Sequence, residues 1–260
     1  MPSVNITTEQ VKELRDATGV SVMQCKRALE EAEGDMKKAL AILKKTSSDI
    51  ALKKMSREIK DGRVSIKVDN GKAVLVSLGC ETDFVARNED FTTLLEKLVT
   101  EAFKNGVEKM KAGAKDMIDP IIQKTGENIV LGEVYEVKGG ILGSYNHNNK
   151  IAVIVSLEGG SEELAKDIAM QIAAMKPEYI SQNEISEETR KTMLEVFQKE
   201  VAEIKKPEEI KKKMLDGKIA NYFKEKTLLD QIFIKDGEQT IGQLLEKNHA
   251  KIKEVKQSSV

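Results

Sequence analysis

Apolar residues recur every three or four positions from Val11 to Leu43, then every second position from Arg63, and this change of period divides the chain. In the first stretch Val11, Leu14 and Ala17 share one face of a helix that Thr7 or Thr8 can cap and Gly19 ends. Ser21 can cap a second helix carrying Val22, Cys25, Ala28 and Leu29 at helical spacing, and Gly34 stops it. Asp35 opens a third, with Met36, Ala39, Leu40 and Leu43 inward. Helices this short do not stand alone in water, so their stripes are expected to be buried together as a three-helix module over 1–45. The charged stretch that follows suits a helical linker over 46–60, a tether more than a core.

From Arg63 to Val68 the alternation predicts a strand, Asp69-Asn70-Gly71 a hairpin turn, and Ala73 to Leu78 a second strand. A helix is expected from Phe91 to about Asn105 and helical character onward to Asn128. Glu133 to Val137, Ile141 to Tyr145 and Ile151 to Leu157 predict further strands, with turns at Gly139-Gly140 and Asn148-Asn149. Ser161 caps a helix from Glu162 to Met175 that Pro177 ends. This is an α+β pattern with antiparallel strands in two lobes, 61–138 and 139–185. Residues 186–226 then return to helical spacing. Met193, Val196, Phe197, Val201 and Ile204 face Ile210, Met214, Ile219, Tyr222 and Phe223 across a break at Lys205-Lys206-Pro207, which predicts an inserted antiparallel helical hairpin. The run Lys211-Lys212-Lys213 is its solvated face. Residues 227–260 complete the second lobe with a strand from Gln231 to Ile234, a capped helix from Thr240 to Glu246, a short strand and a polar tail.

One junction stands apart. Cys80-Glu81-Thr82-Asp83-Phe84-Val85-Ala86-Arg87-Asn88 joins a strand to a helix and sets an acid beside a phenylalanine there. Strand-to-helix junctions often carry function. Phe84 is readable as a core plug, with Asp83 an N-cap, or as an aromatic aimed at another protein.

Composition narrows the chemistry. With 42 basic and 43 acidic residues among 260, the chain carries no excess charge that would call for a polyanionic partner, and no direct nucleic-acid binding is expected. Two cysteines, no leader-like opening and no apolar run long enough for a bilayer predict a cytoplasmic protein with reduced thiols and no membrane partner. Neither G-x-x-x-x-G-K-[ST] nor G-x-G-x-x-G is present, nor C-x-x-C or H-E-x-x-H, and two histidines leave little for acid–base work. The absences together favour a binding protein over an enzyme, and no cofactor is expected. An RNA-associated adaptor using the lysine-rich hairpin is the competing class, for which steep salt dependence would be the sign.

Several motifs, in order, carry a resemblance. Val11-Lys12-Glu13-Leu14-Arg15 with Thr18-Gly19, then Met23 to Leu29, Thr82-Asp83-Phe84-Val85-Ala86, Gly126-Glu127-Asn128-Ile129, Gly143-Ser144-Tyr145-Asn146-His147, Ile168-Ala169-Met170 and Lys176-Pro177-Glu178 are similar to the bacterial elongation factor Ts family. The resemblance implies a guanine-nucleotide exchange factor that binds elongation factor Tu and releases its GDP. It implies an N-terminal ubiquitin-associated-like module ahead of the two-lobed core. It also implies that Thr82, Asp83, Phe84 and Val85 perturb the partner's magnesium site, and that Leu14, Val22, Met23 and His147 make further contacts. Longer family members continue past the motif that Ile241-Gly242-Gln243-Leu244-Leu245 matches into a further strand and a helical module. Room here is expected for the strand alone, with affinity resting on the core and the N-terminal helices.

Overall fold

The computed structural model describes residues 6–204 and 206–260, and among them the chain is α+β, with two small antiparallel sheets and ten α-helices. Contacts divide it into two compact units. The first runs to Lys138 and includes 146–152 and 256–260; the second comprises 139–145 and 153–255.

The first unit begins with α1 (Thr8–Thr18), α2 (Val22–Glu31) and α3 (Met36–Lys54). Thr7 is the cap of α1, completing a reciprocal box with Gln10, while Ser21 and Asp35 cap the next two. Val11, Leu14, Val20, Cys25, Ala28, Leu29, Ala39 and Leu43 form one apolar cluster. Three residues expected inside are outside: Ala17 is exposed, Val22 is 48% exposed and Leu40 41%. Val22 is the first residue of its helix, and Leu40 lies beside Ala39 where the cluster has already closed. The expected tether is packed as well. α3 continues to Lys54, burying Ser47 and Ala51, and Ser48 donates to Asp119 at 2.6 Å.

β1 (Asp61–Asp69) and β2 (Lys72–Cys80) pair antiparallel around Asn70-Gly71, both left-handed (φ 48° and 70°), which gives the tight hairpin turn that asparagine and glycine favour. β3 (Ile129–Lys138) adds to the other edge of β2, so β2 is central and its residues from Ala73 to Cys80 are all buried. After β2 come the short α4 (Asp83–Arg87), α5 (Glu89–Asn105) and α6 (Val107–Thr125). Phe91, Leu94, Leu95 and Leu98 of α5 and Met110, Ile118 and Ile122 of α6 pack with Val74, Val76 and Leu78 of β2. Pro120 sits inside α6, where it removes one helix hydrogen bond, yet the helix runs on to Gly126 because its buried face continues on either side of the proline.

The second sheet has the order β4 (Ile141–His147), β5 (Ile151–Glu158), β6 (Lys251–Ser259), and central β5 buries every residue from Ala152 to Leu157. In the second unit α7 (Glu162–Met175) is capped by Ser161 and ends on left-handed Lys176 before Pro177. α8 (Glu187–Ala202) and α9 (Glu208–Lys226) form the antiparallel pair, closed by an edge-on contact of Phe197 with Tyr222 and by buried Val201 and Phe223. Within the lysine run Lys212 and Lys213 are exposed, but Lys211 is folded back onto Glu208 at 3.1 Å. Lys205, in the expected break, lies outside the described residues.

Gln231 to Ile234 is not a strand. An isolated bridge joins Ile232 to Thr240, with the Phe233 N–H on the Gln239 carbonyl at 2.8 Å and the Ile241 N–H on the Gln231 carbonyl at 3.0 Å. Buried Gln171 adds a donation to the Ile232 carbonyl at 3.1 Å and accepts from the Ile234 N–H at 3.0 Å. α10 (Ile241–Lys247) carries the expected cap at Thr240. The expected polar tail belongs to β6, which runs to Ser259 with Ser258 buried. No helix among the described residues is long and apolar enough to cross a membrane.

Candidate partner-docking site

The junction after β2 removes one of the two readings of Phe84. The residue is 83% exposed, the most exposed large apolar residue among the described residues, so it is not a core plug. Asp83 is not the cap either. Thr82 is, in extended conformation, accepting from the Val85 N–H at 3.4 Å, while Asp83 lies in the first turn and pairs with Arg87 at 3.1 Å. Side chains on successive residues of a helix point about 100° apart, so a short helix can bury some and present others. Here Ala86 is buried and Val85 packs on the core of the first unit, which turns Phe84 outward.

A helix of five residues does not hold itself in place. The loop after α6 supplies the hold. Glu127 accepts the N–H groups of Glu81 and Thr82, each at 3.0 Å, and the Thr82 hydroxyl at 2.6 Å. In return Glu81 accepts the Asn128 N–H at 2.7 Å, with Arg57 at 3.4 Å, and the Asn128 amide donates to the Arg57 carbonyl at 3.0 Å. The Asn128 N–H is the main reason the Glu81 carboxyl is held below its ordinary value of 4.5, and Arg57 adds to it against the opposing cost of burial. A depressed carboxyl contributes stability that is present above its unfolded pKa and lost as pH falls through the folded one. Glu81→Gln is therefore expected to cost about 1 kcal/mol near neutral pH. Its deficit against the parent chain should shrink as pH falls below about 4.5, read from urea midpoints across the acid range. A deficit that is the same at every pH would remove the Glu81 charge from the account.

Cys80, directly before this turn, is buried, and burial pushes its thiol up to about 12, with the Glu127 and Asp61 charges acting the same way. Such a thiol is a packing residue and not a nucleophile. Among the described residues no group of three or more His, Cys, Asp or Glu side chains is placed to hold a metal ion.

The other expected site residues are distributed. Leu14 is fully buried, so it supports the N-terminal helices from inside and presents nothing. Val22 and Met23 are exposed on α2, Met23 at 60%. His147 ends β4 beside the turn at Asn148 and Asn149, with its ring 3.3 Å from the Asn148 amide nitrogen. It was expected in the second lobe, but residues 146–152 pack with the first unit: the Val64 N–H donates to the Asn149 carbonyl at 2.9 Å, and Lys150 to the Gly62 carbonyl at 2.9 Å. Glu127 was missed as a site residue because its role lies 45 residues from Thr82. Its sequence signals are its place in the Gly126-Glu127-Asn128-Ile129 motif and an acid following a glycine that ends a helix, and neither points to Thr82.

A family model described as Elongation factor TS matches residues 81–260. Among curated proteins, elongation factor Ts of Hahella chejuensis is 42% identical over 254 residues, covering 95% of this chain and 89% of that protein. The Cellvibrio japonicus protein of the same name is 40% identical, covering 95% and 88%. The Escherichia coli O139:H28 protein, also elongation factor Ts, is 36% identical over 250 residues, covering 95% and 88%. With a family model across more than half its length and relatives of this similarity over nearly all of it, the chain belongs to the elongation factor Ts family.

Proposed function

We propose that this chain is a guanine-nucleotide exchange factor for elongation factor Tu in translation elongation, acting in the cytoplasm by protein binding and without chemical catalysis of its own. The observation that carries the reading is a phenylalanine 83% exposed on a turn that is otherwise fastened to the core. Exposed aromatics on a rigid support are the usual anchors of protein interfaces.

In this reading the Thr82-Asp83-Phe84-Val85 turn enters the partner beside its nucleotide. A magnesium ion on GDP demands near-octahedral oxygen ligands, so displacing one of the groups that orient it weakens the whole site. Loss of the ion removes the largest local positive charge from the phosphates, and GDP affinity falls. Phe84 supplies the displacing bulk, Asp83 a polar contact beside it, and Thr82 and Val85 the shape of the turn. Val22 and Met23 give a second contact, with Leu14 holding them from within, and His147 a third. α1 to α3 act as a ubiquitin-associated-like docking module, and the α8–α9 pair as an inserted hairpin. Weakening is reciprocal: GDP must weaken this chain's hold on the partner by the factor by which this chain weakens GDP. Both GDP-bound and nucleotide-free partner are therefore bound, the latter more tightly.

The test is release of fluorescently labelled GDP from elongation factor Tu, with unlabelled nucleotide in excess. Addition of this chain is expected to accelerate release in proportion to its concentration until saturation. A rate independent of the chain would overturn the proposal.

A further inference from the structure

Glu127 lies outside the turn that carries Phe84, yet three of the hydrogen bonds that fix the turn end on its carboxylate. α6 ends at Gly126, left-handed at φ 78°, and the reversal sends the next side chain across to the end of β2. There Oε2 receives two successive backbone N–H groups and Oε1 the Thr82 hydroxyl. A full negative charge meeting adjacent amide donors is a charge-assisted arrangement, stronger and more directional than neutral bonds. The consequence reaches α4. Its own cap bond, from the Val85 N–H to the Thr82 hydroxyl oxygen, is long at 3.4 Å, and the helix is a single turn and a half. Because the Thr82 hydroxyl gives its proton to Glu127, its lone pairs stay turned to the helix. The direction in which Phe84 is presented is thus set from the loop after α6 together with buried Ala86.

We propose that Glu127 is a positioning residue for nucleotide exchange, acting through Phe84; this rests on the exchange reading of the Phe84 turn. Misplacing a reacting or displacing group by an ångström costs rate far more than affinity. Glu127→Ala is therefore expected to lower the maximal rate of GDP release by on the order of tenfold, with the half-saturating concentration changed by less than about twofold. Glu127→Gln should keep most of the rate. Its amide oxygen still accepts both N–H groups, and its NH₂ donates to a Thr82 hydroxyl that can rotate to accept.

The decisive readout is coupling. In a Phe84→Ala background Glu127→Ala should lower the rate no further, since residues acting as a unit are not additive. Full additivity of the two losses, or a Gln variant as deficient as the Ala variant, overturns the proposal. A second measurement needs no partner. The chain contains no tryptophan, so Phe84→Trp introduces a single reporter. Its time-resolved anisotropy should show a restrained indole, and adding Glu127→Ala, or the milder Thr82→Val, should release fast local motion; an unchanged decay in both overturns the clamp. If the indole is released as expected while the parent chain leaves GDP release untouched, the clamp is upheld and the exchange reading alone falls.

Discussion

Phe84→Ala is expected to abolish most of the acceleration of GDP release, a loss of roughly thirtyfold, or ~2 kcal/mol in the barrier to release, while leaving the fold intact. The two halves of that expectation have separate causes. A ring that is 83% exposed contributes almost nothing to the folded core, and substitutions at such positions usually change stability by less than about 0.5 kcal/mol. What fastens the turn is elsewhere, in Ala86 below it and the Glu127 carboxylate beside it. Alanine is also the better helix former, so α4 has no reason to unwind. The loss therefore falls on whatever the ring does in the complex. If that is displacement of the groups around magnesium, the variant should still dock through Val22, Met23 and His147, and the half-saturating concentration should move much less than the maximal rate. Stopped-flow release of labelled GDP at a series of chain concentrations separates the two. An unchanged maximal rate would take the wedge out of the mechanism and leave docking alone to explain exchange.

Why the sequence could raise this possibility without deciding it is instructive. Period and caps are local, so helices, the Asn70-Gly71 turn and most strands could be read from residues within a turn or two of each other. Thr7, Ser21, Asp35, Ser161, Ser186 and Thr240 all act as caps in the structure. Exposure is not local. Phe84 and Phe91 are both aromatics near a helix start, yet one is 83% exposed and the other fully buried, because only the second faces β2. Val22 and Leu40 fell on the wrong side for the same reason: a stripe gives a direction, and the packing partner decides how wide the buried sector is.

Long-range polar contacts were the least legible part. The apolar segment from Gln231 to Ile234 has strand-like composition, but its pairing stops at one bridge to Thr240, and buried Gln171 takes up the Ile232 carbonyl and the Ile234 N–H. The end of β6 has the opposite character. Lys256-Gln257-Ser258-Ser259 looks like a solvated tail, yet the strand continues through it, and the Val260 N–H donates to the Lys150 carbonyl at 3.0 Å. Backbone pairing needs no apolar side chain, so composition is silent there. Glu127 is the same lesson at the site itself.

Gly143→Ala is expected to be among the most damaging single methyls in the second unit. The residue lies in β4, within the Gly143-Ser144-Tyr145-Asn146-His147 motif, and a Cβ there would stand 2.1 Å from the Ala165 carbonyl carbon and 2.1 Å from the Lys166 nitrogen. These are backbone atoms of α7, which cannot rotate aside as a side chain could. The backbone of Gly143 is not left-handed, so alanine brings no conformational strain and the whole cost is steric. Overpacking of this kind costs about 3 kcal/mol, and for a protein of this size that lowers Tm by about 6–12 °C. Gly140 is the control. It lies just before the same strand, where an added Cβ would meet nothing within 4 Å, and it has no positive φ, so Gly140→Ala should be neutral or slightly stabilising through the unfolded chain. Since both substitutions restrict the unfolded state alike, the difference in urea midpoint between them isolates the clash. Equal midpoints would mean that β4 and α7 separate freely, and that glycine stands at 143 for some reason other than the approach of the two backbones.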